Sequence, residues 1–122
     1  MKYIAKNEDL LSFLSEDKSI IDATITRFDI YNADNRLNID VYITLLYSKS
    51  DKELKLRFKD VLQYCMFYTR DHNFYYIERY KLFKCDEGFY VSFDPFDENL
   101  EIQSEDNDFI LSSEVEGYFL DK

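Results

Sequence analysis

Leu37, Ile39, Val41, Ile43, Leu45 and Tyr47 share one side of an extended chain, and Asn38, Asp40, Tyr42 and Thr44 share the other. Alternation of period two over this length predicts a half-buried strand, and hence an antiparallel sheet with one wetted face. A second run repeats the pattern: Leu54, Leu56 and Phe58 alternate with Glu53, Lys55, Arg57 and Lys59, giving a strand whose outer face is largely basic. Ile20–Tyr31 also alternates, but with a slip. Ile21, Ala23 and Ile25 keep one phase, then Phe28 and Ile30 take the other, as happens across a β-bulge. Val61–Thr69 is apolar in both phases, which fits a strand buried on both sides or a short helix starting after Asp60; its β-branched and aromatic content favours the strand. Phe74–Cys85 reads as one long strand with Tyr75, Ile77, Arg79, Lys81 and Phe83 on the same side.

One segment has helical spacing. Leu10, Phe13 and Leu14 recur at i, i+3 and i+4, Leu11 widens the face, and Glu8 and Asp9 suit a first turn. The expected helix is Glu8–Ser15, with Asn7 as its cap. Turns are expected at Asn32–Asn35, Ser48–Lys52, Arg70–Asn73 and Asp86–Gly88, the last using the positive φ that glycine permits. A strand Phe89–Phe93 then stops at Asp94-Pro95, because proline removes a donor from the ladder. An acidic loop leads to a return strand, Phe109–Ser112, followed by a closing strand Glu114–Leu120 in which Gly117 is a candidate bulge. The pattern predicts one domain over residues 1–122, mainly β: an antiparallel β-sandwich or open barrel of about eight strands with a short N-terminal helix. An α+β arrangement is the alternative.

Composition narrows the class. With 46% hydrophobic and 18% aromatic residues the chain is not of the disordered type. No apolar run approaches the roughly 18 residues of a membrane span, and MKYIAKNEDL lacks the apolar core of an export signal, so a cytoplasmic location is expected. Cys65 and Cys85 form no metal or redox spacing and are expected to be reduced and buried. The formal charge of −10 is uneven: Cys85–Asp121 holds 12 acids and no Lys or Arg, whereas the rest of the chain balances to +2. Such a run repels nucleic acids and anionic membranes and attracts a basic protein partner; the plain alternative is solubility.

Catalytic motifs are absent from the sequence. The only histidine, His72, sits in a polar turn where solvent exposure is expected. There is no GxSxG, no phosphate-cradling glycine loop and no zinc spacing, so neither an enzyme nor a cofactor or metal is expected. Six carboxylates around the loop form the candidate partner-binding set: Asp94, Asp97, Glu98, Glu105, Asp106 and Asp108. A calcium site or a pair of hydrolytic acids are the alternatives for these groups. Tyr64, Phe67, Tyr68, Phe74, Tyr75, Tyr76 and Tyr80, near Arg70, Arg79, Lys81 and Lys84, suit either a single-stranded nucleic-acid platform or the core and rim of a β fold. The negative charge and the lack of an RNP motif favour the second.

GFYVSFDPFDE followed by SEDNDFI resembles a family of small, acidic, single-domain bacterial proteins, similar to the immunity proteins of polymorphic toxin systems. The resemblance covers Tyr76–Phe119 and rests on Gly88, Tyr90, Ser92, Asp94, Pro95, Asp106, Asn107 and Asp108. It implies a cytosolic, non-enzymatic binder and assigns no functional residue; the acidic loop adds the expectation of a basic protein partner, such as a toxin. Reversing Asp94, Asp97, Glu105, Asp106 and Asp108 to Lys is expected to abolish capture with the fold intact. The competing function is a structural or regulatory domain that self-associates as a homodimer through a strand edge.

Overall fold

A computed structural model describes residues 1–15, 19–46, 53–72 and 75–120. The turn expected at Ser48–Lys52, with Tyr47, Asn73 and Phe74, lies outside these residues. Seven strands form one antiparallel sheet: β1 (Lys2–Lys6), β2 (Thr24–Ala33), β3 (Arg36–Thr44), β4 (Glu53–Cys65), β5 (Lys81–Cys85), β6 (Gly88–Asp94) and β7 (Asn107–Phe119). Among the described residues one helix, α1 (Asn7–Leu14), follows β1. The mainly β, antiparallel class with a short N-terminal helix is therefore the observed one. No helix among the described residues is long and apolar enough to cross a membrane.

The strand order is β2-β3-β4-β7-β6-β5, and β1 pairs with the C-terminal half of β7. β7 is the spine: β4 lines one edge over its length, while β6 and β1 share the other. Beyond β2 the Tyr75–Ile77 backbone continues the ladder through Ile25 N–H to Tyr75 O (2.6 Å), Asp22 N–H to Ile77 O (2.7 Å) and Ile77 N–H to Ala23 O (2.9 Å). The chain then reaches β5, at the opposite end of the sheet, within four residues. Four residues span at most about 14 Å, whereas six flat strands would spread over about 24 Å. The open sheet is therefore curled so that its two ends approach each other. Ile39, Val41, Ile43, Leu54, Leu56, Phe58, Val91 and Ile110 fill its concave side.

Several expectations change in detail. The slip in β2 is the predicted bulge, between Ile25 and Arg27. The Asp34-Asn35 turn is a two-residue hairpin with both φ values positive (55° and 65°). Leu54–Phe58 and Val61–Cys65 are one strand interrupted by a register shift between Val61 and Gln63, next to Asp60 with φ 54°. Leu62, Tyr64 and Cys65 are exposed, so this part of the strand is not buried on both sides. Likewise β7 is a single strand, and only Lys81–Cys85 of the expected long strand is regular. Asn7 does not cap α1; its Oδ1 accepts from Val115 N–H at 3.0 Å. Gly117 serves close packing, because a Cβ there would enter the Leu10 side chain. Cys65 is exposed and Cys85 half-buried, not core.

The outer face is less wet than alternation suggests. Asp40, on the polar side of β3, is buried beneath Arg57 (3.0 and 3.2 Å) and Tyr31 Oη (3.0 Å), with Lys55 Nζ at 3.9 Å. The basic face expected on β4 is thus matched by Asp40 and by Glu116, which meets Lys59 at 3.5 Å.

Candidate functional site

The loop between β6 and β7 is built around one ammonium group. Strand alternation turns Lys81 to the convex side of the sheet with Phe83, and the loop folds across that side and encloses it. Lys81 Nζ lies 3.1 Å from both carboxylate oxygens of Asp106, 3.0 Å from Asp97 Oδ1 and 2.8 Å from Glu101 O. Asp106 also accepts from Tyr90 Oη (2.7 Å), Phe96 N–H (2.8 Å) and Gln103 N–H (3.1 Å). Burial by itself would raise the Asp106 carboxyl, but these donors and Lys81 outweigh it and hold the group below the usual carboxylate range. The same contact and burial push the Tyr90 phenol well above its ordinary value. Arg79 clamps the start of the loop by donating to Pro95 O (3.0 Å) and Phe96 O (3.3 Å).

The six predicted carboxylates consequently divide. Asp106 and Asp108 are 4% and 2% exposed and face inward, and Asp97 is tied to Lys81. Reversal of Asp106 or Asp108 would bury a lysine against existing groups, so the expectation that all five reversals spare the fold is corrected. Glu98 and Glu105 face solvent, as does Glu101, which the candidate set omitted. On the same loop Phe96, Leu100 and Ile102 are 57%, 67% and 47% exposed. Their irregular spacing, within a segment assigned to no strand or helix, was the available signal for this apolar surface. Beside it, Tyr90, Ile102, Phe109 and Leu111 line a hollow of about 380 Å³ that also includes Glu87.

Asp108 belongs to a different constellation, where β6 ends and β7 begins. Its Oδ1 accepts from Phe67 N–H at 2.8 Å, and its Oδ2 lies 3.3 Å from His72 Nε2. His72 is therefore half-buried against a carboxylate, not the free turn residue expected. Asp94 completes a trio in which one ligand-type atom from each residue lies within 4.8 Å of the others. Burial raises the Asp108 carboxyl more than Phe67 N–H and His72 lower it, and the Asp94 charge adds to the rise. Two aspartates separated by one residue are thus perturbed in opposite directions. Asp71, Tyr76, Glu78 and Arg79 wall the adjoining cavity of about 290 Å³. The exposed rings Tyr64, Phe67, Tyr68, Tyr75 and Tyr76 sit on the rim of the fold and not in its core.

Comparison of the chain with known protein families, with curated proteins and with solved structures gave no match.

Proposed function

We propose that this chain is a non-enzymatic protein-binding module, similar in kind to an immunity protein, that presents the Phe96–Glu105 loop to a basic partner. The observation that carries the reading is the coexistence, on one braced loop, of exposed Phe96, Leu100 and Ile102 with exposed Glu98, Glu101 and Glu105. Apolar anchors provide contact energy, and a rim of one charge steers encounter and selects a cationic surface. The local cations Lys81 and Arg79 are engaged by the loop itself, which leaves the three glutamates to face outward. Bracing by Lys81 and Arg79 lowers the ordering cost of binding. Self-docking through this face would oppose two negative loops, so a second copy is the poorer occupant.

The test starts with affinity capture from the native host and continues with the captured protein, purified. Glu98→Lys/Glu101→Lys/Glu105→Lys is expected to lower the association rate by more than about tenfold at low salt, and Phe96→Ala/Leu100→Ala to raise dissociation by a similar factor. Both variants should keep the wild-type circular dichroism. A partner that binds wild type and both variants equally would overturn the assignment of this loop.

A further inference from the structure

We propose that His72, Asp94 and Asp108 form a binding site for a divalent first-row transition-metal ion of the zinc or manganese class. This site lies apart from the glutamate-bearing face of the loop and is independent of the protein-binding reading. The three side chains come from the turn after β4, the end of β6 and the start of β7, so the curled sheet, not sequence proximity, assembles them. Metal–ligand bonds of about 2.1 Å place neighbouring ligand atoms roughly 3 to 3.5 Å apart. His72 Nε2 and Asp108 Oδ2, at 3.3 Å, already have that separation, and the whole set lies within 4.8 Å. Asp94 has the slack to close the remainder, since among the described residues its carboxylate accepts one long hydrogen bond, from Asn107 Nδ2 at 3.4 Å.

Charge points the same way. Among the described residues no lysine or arginine forms an ion pair with Asp94 or Asp108, in contrast to Asp97 and Asp106 on Lys81. Arg79 lines the cavity, yet its guanidinium donates to the Pro95 and Phe96 carbonyls. Among the described residues, two carboxylates therefore converge on an imidazole with no lysine or arginine paired to either. Asp108 is fixed in place by the Phe67 N–H, which makes it the rigid member of the set. One nitrogen and two carboxylate oxygens suit zinc or manganese; calcium and magnesium prefer oxygen alone. The adjoining cavity leaves room for water or a small anionic ligand at the remaining coordination positions.

The experiment uses tag-free, full-length protein after chelator treatment. Calorimetry should show one equivalent of Zn²⁺ or Mn²⁺ bound at least about tenfold more tightly than Ca²⁺ or Mg²⁺. His72→Ala and Asp94→Asn should each weaken that binding by about tenfold or more. Because the chain has a single histidine, its imidazole proton signals need no assignment. Substoichiometric Mn²⁺ should broaden them before other resonances in the wild-type protein, which settles the site even if a variant folds poorly. Sharp imidazole signals at Mn²⁺ saturation would overturn the proposal. So would unchanged affinity in both variants, calcium binding as tight as zinc, or a thiolate charge-transfer band with Co²⁺, which would move the ion to Cys65 or Cys85.

Discussion

Lys81 has the environment of a core residue and the charge of a surface one. Its stem follows Phe83 on the convex side of β5, and its ammonium is enclosed by Asp106, Asp97 and the Glu101 carbonyl. Removing one member of a buried ion pair leaves the other charge without compensation. Lys81→Met and Asp106→Asn should each destabilise the protein by about 3 kcal/mol, measured by urea unfolding. The double variant should cost clearly less than the sum, because the second change removes the charge that the first leaves stranded. Strict additivity would mean that the two groups do not stabilise each other. None of this was legible in the sequence. Lys81 there continues an alternating strand, and Asp106 looks like one more member of an acidic run. What decides their fate is the loop folding back over β5 and β6, a long-range event that period and composition do not encode. The same holds for His72, which lies 36 residues from Asp108 along the chain and meets it only because the turn after β4 folds across the start of β7.

At the level of elements, sequence pattern succeeds where one strand keeps one phase. The Leu37–Leu45 alternation became β3 and the concave core, and the slip near Arg27 became a bulge. It fails where a bulge or a cover intervenes. β4 changes register between Val61 and Gln63, so one strand reads as two; Arg57 and Tyr31 cover Asp40, so a wet face is partly dry. β1 was missed because KYIAK is too short to show a period, and its place is determined by its partner β7. The contact of α1 with the sheet gives a sharper test. A Cβ on Gly117 would fall within overlap distance of Leu10, a flexible side chain that is itself fully buried. Gly117→Ala should therefore destabilise by about 1 to 3 kcal/mol through overpacking. In the Leu10→Ala background the same change should cost much less, since the space it needs has been vacated. An equal cost in both backgrounds would show that β7 requires glycine there for its backbone and not for the helix.

For the whole molecule two electrostatic effects oppose each other. A formal charge of −10 destabilises the compact state by self-repulsion, which salt screens. Ion pairs work the other way, but the strongest here are sheltered: Lys81 with Asp106 is buried, and Arg57 with Asp40 is partly so. Sheltered pairs are screened much less than exposed charges at separations near the Debye length of about 8 to 10 Å. Repulsion among Asp86, Glu87, Glu98, Glu101 and Glu105, all exposed, is therefore the part that salt alters most. Raising NaCl from low to physiological concentration should increase the melting temperature. Reversing Glu98, Glu101 and Glu105 to Lys changes the formal charge by six, from −10 to −4, and should raise the low-salt melting temperature while flattening its salt dependence. The same three substitutions are those expected to slow association with a basic partner. A loop whose charge lowers stability in the free protein and strengthens binding is what a steering surface requires, because the repulsion relieved on docking then adds to affinity. Should salt instead lower the melting temperature, and the reversal leave it unchanged, the exposed glutamates would be a solvated fringe with no energetic coupling to one another, and the argument for a charge-selected partner would lose its physical basis.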